Sequence, residues 1–460
     1  MNIYNTLTKQ KEEFVPREDK KVNMFVCGPT VYDYIHIGNA RTFVFFDVVA
    51  KYLRSQGYEV NYIQNITDID NKIIERAAKE GIDPLEYAKK YTNIFEKDME
   101  SLGITAPEYK NATDHIPEVI KQVQVLLDKG NAYTLEKDGI YFDLSTFPNY
   151  GKLSGRTASM ADDAVSRIDD SDKKRNRGDF ALWKFSQAED PSWPAPFGDG
   201  RPGWHIEDTA ITEKYFGPQY DIHGGGQDLI FPHHEAEIAQ QESASELKPF
   251  VKYWMHGGFL VNKEAKMSKS LGNFETAHNL LEKYPKEVLR FYLLSNHYHS
   301  PLDYNEDMFK QAQAAVSRIS EFSQKLDLVP IKSVENGSAS NLENAKKDFL
   351  EALDDDFNTP KALAVLFELI RNVNTDIVGD YLNKAGADEI MKWLEKINSV
   401  VGIIPSEQQK IPAEVQELVE KREKLRAEKN YDESDKIRAQ LKELGWKVED
   451  TAYGPLVVKN

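Results

Sequence analysis

Two short stretches carry residue types suited to polyphosphate chemistry. The first is His36-Ile37-Gly38-Asn39, at the junction of a loop with a following helix. Backbone N–H groups and the positive end of the helix dipole favour anions there, and Gly38 lets a phosphate approach the chain closely. The second is Lys266-Met267-Ser268-Lys269-Ser270, in a stretch ending at Gly272-Asn273. Its lysines act as point charges and its hydroxyls as donors around a triphosphate whose oxygens gain charge as the α-phosphorus is attacked. Alone, the pentapeptide reads equally as a solvated charge run, and the tetrapeptide is too short to carry an assignment. A third group has metal-ligand character. His233 and Glu237, four apart on one face of an expected helix, offer one nitrogen and one oxygen. A surface or structural pair is the competing reading at that spacing.

These residues need elements to position them. Val22–Cys27 reads as a short buried strand, broken by Gly28-Pro29-Thr30. Phe45, Val48, Val49, Tyr52 and Leu53 recur at three- and four-residue steps, which predicts a helix over 40–54 stopped at Gly57, and Glu59–Ile63 is the next strand. Strand, loop, helix and strand over about 45 residues make a βαβ unit of a parallel sheet with a right-handed crossover. Ligands of such sheets bind at the carboxyl ends of the strands, so Cys27, His36 and Asn65-Ile66-Thr67-Asp68 lie near one crevice. Short strands near Tyr133 and Ile140–Phe142, and a charged, turn-prone stretch over 161–178, read as an insertion. Parallel-sheet character returns at Asp221-Ile222-His223, before Gly224-Gly225-Gly226. Beyond Leu294 the pattern is helical, over 306–326, 342–353, 360–376 and 387–399. Two charged helices, over 413–428 and 432–443, then precede a hairpin around Gly454-Pro455. The acidic run Asp354-Asp355-Asp356 reads as a solvated turn before the helix at Pro360, and Glu207 and Glu235 have no assigned role.

Composition limits the function classes. At 460 residues there is room for two to four domains, and 58 Lys plus Arg against 75 Asp plus Glu leave a net charge of −17. This is no histone-like polycation, so nucleic-acid contact must come from local patches. Cys27 is the only cysteine, which excludes an intramolecular disulfide and a two- or four-cysteine metal site and suits a reduced, cytoplasmic setting. The polar N-terminal stretch lacks the apolar core of a signal peptide, and no stretch approaches the ~18 apolar residues of a membrane span. A soluble protein without a membrane partner is expected. Residues 411–460 hold 10 Lys plus Arg against 11 Asp plus Glu, a relatively electropositive tail. Lys421, Arg422, Lys424, Arg426 and Lys429 cluster there on one expected helix, and Trp446 and Tyr453 are candidates to stack on unpaired bases. The competing reading is a charged helical hairpin with i,i+4 pairs. Lys173-Lys174-Arg175-Asn176-Arg177 is a second basic run.

The H-I-G-N and K-M-S-K-S stretches, about 230 residues apart, together resemble the two signatures of class I aminoacyl-tRNA synthetases. Phe25-Val26-Cys27-Gly28-Pro29-Thr30-Val31-Tyr32, Asn65-Ile66-Thr67-Asp68-Ile69-Asp70, Gly203-Trp204-His205-Ile206-Glu207 and Asp221–Leu229, running into Phe231-Pro232-His233-His234-Glu235, narrow the resemblance to cysteinyl-tRNA synthetases. It extends through Ala352–Pro360 and Asn430–Arg438. The resemblance implies an α/β fold: a Rossmann-like parallel-sheet catalytic domain (1–110 and 201–250) split by a connective insertion (111–200). A junction domain carrying K-M-S-K-S (251–305), an α-helical bundle touching tRNA (306–402) and a small C-terminal α/β anticodon-binding domain (411–460) follow.

The same resemblance implies an activity: ATP-dependent conversion of L-cysteine to cysteinyl-adenylate, then transfer to tRNA(Cys), by a cytoplasmic monomer using Mg2+ with its ATP. His36, Asn39, Lys266 and Lys269 are then catalytic, Asn39 standing where many relatives have a second histidine. Gly38, Gly225, Asp228 and Ser268 join them around ATP, while Thr67, Trp204 and Asp228 surround the cysteine. Zn2+ is expected on Cys27, His233, Glu237 and the position of a second family cysteine, which here is Asp208. One thiolate, one imidazole and two carboxylates make a harder donor set than two thiolates, although zinc accepts aspartate oxygen at ordinary distances. An open zinc position separates cysteine from serine because it binds a thiolate strongly and an uncharged hydroxyl weakly. Two other readings stand beside this one. A ligase joining activated cysteine to an amino-sugar lacks a module such as residues 400–460, and a non-enzymatic RNA-binding descendant has no need of His36, Lys266 and Lys269.

Overall fold

A computed structural model describes residues 1–156, 173–187, 190–261, 275–331, 341–405 and 411–459. Its central sheet has five strands: β1 (Lys21–Val26), β2 (Glu59–Ile66), β3 (Glu108–Asn111), β4 (Tyr220–Gly226) and β5 (Val251–Gly257). Their spatial order is β3-β2-β1-β4-β5, with every pairing parallel. Val22, Met24, Phe25 and Val26 of β1 are all buried, as a parallel strand covered on both faces requires. Each such side chain contributes about 2 kcal/mol by leaving water. The strand order reverses between β1 and β4, and ligands of doubly wound sheets bind outside the carboxyl ends at that point. Cys27 directly follows β1, and Gly226 ends β4. The sheet runs past residue 250, since β5 pairs with β4 from Val251 to Gly257.

Helix α1 spans Ile37–Ser55, starting three residues before the periodicity alone predicts. The cause is a cap: the His36 ring Nδ1 accepts the Gly38 N–H at 3.0 Å, so the helix begins at once. Gly57, at φ 86°, closes its far end in the left-handed region. Between β3 and β4 lies the expected insertion, a four-stranded antiparallel sheet of Ala132–Leu135, Gly139–Phe142, Phe180–Phe185 and Gly200–Pro202. Part of its basic run is paired locally while Arg175 stays exposed. Lys174 donates to the Asp179 carbonyl, and Arg175 pairs with Asp143 at 3.1 Å while lying over the Tyr133 ring. Helices α2 (Ile206–Phe216) and α3 (Glu235–Ser245) flank β4 in the chain and bring further site residues.

The chain divides into two compact units. The first comprises Met1–Lys286, Asn296–Tyr304 and Asp354–Phe357, and the second Glu287–Ser295, Asn305–Leu353 and Asn358–Asn460. The acidic run departs from its reading as a solvated turn. Asp354 accepts the Tyr52 hydroxyl, Asp355 pairs with Lys11, and Asp356 is buried, accepting the Tyr4 N–H and the Tyr298 hydroxyl. These carboxylates meet donors distant in sequence, which a local reading of charge cannot foresee.

Within the second unit, apart from the terminal Asp354 of the second of them, helices Glu306–Asp327, Leu342–Asp354, Thr359–Val378 and Lys384–Val401 lie where the sequence places them. Helices Ala413–Ala427 and Tyr431–Glu443 and the hairpin Trp446–Thr451/Gly454–Lys459 follow. Val415, Val419, Ile437, Leu441, Trp446 and Val448 form a small core there. Trp446 is thus committed to packing rather than open to a base, which corrects that expectation. Arg422 is also buried, held by Asp450 at 2.8 Å, whereas Lys421, Lys424 and Lys429 stay exposed. No helix among the described residues is long and apolar enough to cross a membrane.

Candidate active site and metal cluster

The turn after β1 is set by a close approach. A Cβ on Gly28 would sit 1.6 Å from the Asn65 carbonyl oxygen, so only glycine fits. The Gly28 N–H instead reaches Asn65 Oδ1 at 2.6 Å, and Val31 N–H with Thr67 O and Thr67 N–H with Pro29 O carry the pairing beyond the strand ends. Cys27 and Thr67 are thereby fixed side by side at the mouth of the sheet. A cavity of about 480 Å³ opens there. His36, Gly38 and Asn39 line it, as do Thr67, Trp204 and Asp228, and so do Cys27, Asp208 and His233. Gly225 does not line it; a Cβ there would lie 2.9 Å from the His234 ring, and it is Gly226 that faces the cavity.

At the cavity's α1 side, the helix has no acidic residue in its first turn, which suits an anion. The Ile37 N–H bonds the Glu275 carbonyl and the Ala277 N–H bonds that of Ile35, while Leu260 lines the cavity. Lys266, Ser268 and Lys269 lie outside the described residues, but the described chain on either side of 262–274 borders the His36 turn. Arg41, which the apolar periodicity does not mark, is buried behind the cavity lining and donates to the carbonyls of Gly258, Phe259, His297 and Ser300. Four carbonyls converging on one guanidinium fix the chain beside the cavity.

The metal-ligand candidates converge from four separate places: the end of β1, α2, the turn before α3, and α3. Cys27 Sγ is 3.3 Å from Asp208 Oδ2, His233 Nε2 is 3.0 Å from Asp208 Oδ2 and 3.1 Å from Glu237 Oε1, and Cys27 Sγ is 3.8 Å from Glu237 Oε1. All four residues are buried, with their ligand atoms within 4.8 Å of one another. No lysine or arginine among the described residues pairs with either carboxylate. Burial, then the Glu237 and Asp208 carboxylates, push the Cys27 thiol well above its ordinary pKa. Burial, then Asp208, push Glu237 up too. Two acids, a thiol and an imidazole crowded without a countercharge are the chemistry of a divalent-cation site, because the cation supplies the missing positive charge. The residues present fit a metal.

Other residues hold this cluster in place. Asn65 Nδ2 donates to Asp208 Oδ1 at 2.6 Å, the Thr67 hydroxyl donates to Glu207 Oε2 at 2.8 Å, and Trp204 stacks on His233 with centroids 4.2 Å apart. His205 Nδ1 lies 2.7 Å from His233 Nδ1, so one ring donates and the other accepts. Burial, then His233, hold His205 well below its ordinary pKa, in the neutral form. Glu235, unassigned from sequence, accepts the N–H groups of Gly151, Leu153 and Ser154 and fastens the insertion to α3. Sequence reasoning also passed over His223 and His234, although the strand end at His223 and the His-His pair were legible signals.

A parallel sheet of this order, its β1–α1 turn capped by histidine over the same cavity as a buried donor cluster, is the arrangement expected of a class I aminoacyl-tRNA synthetase. Comparison with solved structures agrees. The methionyl-tRNA synthetase of Mycobacterium tuberculosis, solved with methionyl-adenylate, superposes with a TM-score of 0.60 at 16% identity, covering 84% of this chain and 88% of that one. The Agrobacterium radiobacter LeuRS, solved in a ternary complex with tRNA, gives 0.60 at 11% identity over 85% of each chain. At such identities the likeness is one of fold. Residues 13–314 match the model of the class I (C) tRNA synthetase catalytic domain, 348–405 a DALR domain, and 408–453 the cysteinyl-tRNA ligase anticodon binding domain. The cysteine-tRNA ligases of Carboxydothermus hydrogenoformans and Caldicellulosiruptor saccharolyticus are 48% and 44% identical, each over 99% of both chains. This chain belongs to the cysteine-tRNA ligase family.

Proposed function

We propose that the chain activates L-cysteine with ATP and transfers the cysteinyl group to tRNA(Cys). A cysteine carboxylate oxygen attacks the α-phosphorus and pyrophosphate leaves; the terminal ribose hydroxyl of the tRNA then attacks the adenylate carbonyl and AMP leaves. His36 and Asn39 donate to the phosphates, Gly38 lets them approach, and Lys266, Ser268 and Lys269 take up charge as pyrophosphate departs, with Mg2+ accompanying the ATP. Asp228 orients the amino acid, and Thr67 and Trp204 bound its pocket. Cys27, Asp208, His233 and Glu237 hold Zn2+, which when bound supplies an open position selective for a thiolate over a hydroxyl. In this reading 1–110 with 201–250 catalyse, 111–200 and 251–305 serve the acceptor end and the phosphates, and 306–402 with 411–460 engage tRNA. The protein works as a cytoplasmic monomer.

The observation that carries this reading is the shared cavity, lined both by the His36 turn and by Cys27, Asp208 and His233. The test is charging of tRNA with labelled cysteine in ATP and Mg2+, with serine in parallel. Acid-precipitable cysteine label, absent with serine and lost in Lys269→Ala and His36→Ala, is expected. ATP–pyrophosphate exchange without label in RNA would overturn the tRNA acceptor, and absence of both would overturn the enzyme.

A further inference from the structure

Behind the cavity-facing cluster lies a second set of donors that the proposed reaction does not use. His223 Nε2 is 3.3 Å and His234 Nε2 3.1 Å from Cys27 Sγ. His223 Nε2 is also 3.5 Å from Glu237 Oε2, and His234 Nε2 is 4.0 Å from Glu237 Oε1. All four residues are buried, with ligand atoms within 4.8 Å of one another, and neither histidine lines the cavity. Glu237 divides its oxygens between the two sets. Oε1 lies 3.1 Å from His233, while Oε2, turned toward His223, makes no hydrogen bond among the described residues.

The surrounding hydrogen bonds suit ligation. A metal-binding imidazole donates its other N–H to a fixed acceptor, which sets its tautomer. His223 Nδ1 is 2.6 Å from the Tyr220 hydroxyl, and His234 Nδ1 is 2.8 Å from His256 Nε2, whose Nδ1 is 2.8 Å from the Thr6 hydroxyl. With protons on all three Nδ1 atoms every one of these bonds is made, and both Nε2 lone pairs face Cys27.

We propose that Cys27, His223, His234 and Glu237 form a second divalent-cation position behind the cavity-facing one, with the thiolate–imidazole–carboxylate chemistry of a closed, four-ligand zinc site. Binding forms a metal–sulfur bond and releases the Cys27 thiol proton to solvent, with no change of oxidation state. The two positions share Cys27 and Glu237, whereas Asp208 and His233 belong to the first alone and His223 and His234 to the second alone. An ion in the second position has no open side toward the cavity, so it could not bind a substrate thiol.

Metal-free protein titrated with Co2+ alone tests this. The Asp208→Ala/His233→Ala protein is expected to retain one cobalt per chain with thiolate-to-cobalt charge-transfer absorption. Adding His223→Ala is expected to weaken that binding at least about 100-fold, beyond the roughly 10- to 100-fold cost of losing an outer hydrogen-bond partner. A folded double variant with no thiolate-bound cobalt, or one indifferent to His223→Ala, would overturn the second position while leaving the first. Wild-type protein that takes up no cobalt would overturn both. If the double variant does not fold, zinc X-ray absorption of His233→Gln answers the same question. The cavity-facing set then contributes no imidazole, so any imidazole bound to zinc reports the second position; imidazole coordination is expected, and zinc with none overturns the proposal.

Discussion

Asn65→Ala should uncouple the β1 turn from the metal cluster. Asn65 is 2% exposed; its amide donates to Asp208 Oδ1 at 2.6 Å and, more weakly, to Thr67 Oγ1 at 3.3 Å, and accepts the Gly28 N–H at 2.6 Å, and alanine removes all three bonds at once. A hydrogen bond to a carboxylate is worth about 1.5–3 kcal/mol, and stranding a buried donor costs about 1–3 kcal/mol. Gly28 lines the cavity, so water can reach its N–H and offset part of the second cost. The expected loss is therefore about 2–4 kcal/mol, read as a fall in urea midpoint at unchanged denaturant slope. Asn61→Ala is the control on the same strand, since its amide lies outside the cavity and only 3.4 Å from Asn23; it should stay within about 0.5 kcal/mol of wild type. Because Asp208 loses its anchor, KM for cysteine should rise more than kcat falls. An Asn65→Ala protein as stable as Asn61→Ala, with unchanged KM for cysteine, would refute the account of Asn65 as the tie between the turn and the cluster.

Two further outcomes follow from the same geometry. Asp208→Cys gives the cavity-facing cluster a second thiolate, so zinc should resist a competing chelator more strongly and the cobalt charge-transfer absorption should rise; chelator resistance and absorption both unchanged would remove Asp208 from the cluster. In the second unit, the Arg422 guanidinium bonded to Asp450, despite some opposing burial, holds that carboxyl below its ordinary 3.8. A depressed carboxyl stabilises the fold above its unfolded-state pKa and loses that contribution as pH falls through the folded-state value, so acid should weaken this unit below about pH 3.8. Carboxyl carbon shifts should show Asp450 titrating higher in Arg422→Met than in wild type, Arg426 at 3.2 Å keeping part of the depression, and identical titrations in the two proteins would contradict the Arg422 pairing.

What the sequence settles by itself is local or motif-borne. The apolar steps in 40–54 and the glycine after them are enough for α1, because helix periodicity and caps involve residues within a few positions of each other. The quoted motifs likewise carry the family, and the resemblance with them implies Cys27, Asp208, His233 and Glu237 as one set. Tertiary structure decided whatever depends on two distant segments meeting. Trp446 turned inward because the two charged helices offered it a core, and Asp356 was buried because Tyr4 and Tyr298 brought it donors. His223 and His234 became neighbours of Cys27 through the register of β4 beside β1 and the turn leading into α3. A side chain's type gives its capacity to bond or ligate; which partner it finds depends on the packing of the whole unit, where burial makes an unmet polar group costly and so selects the arrangement that satisfies it.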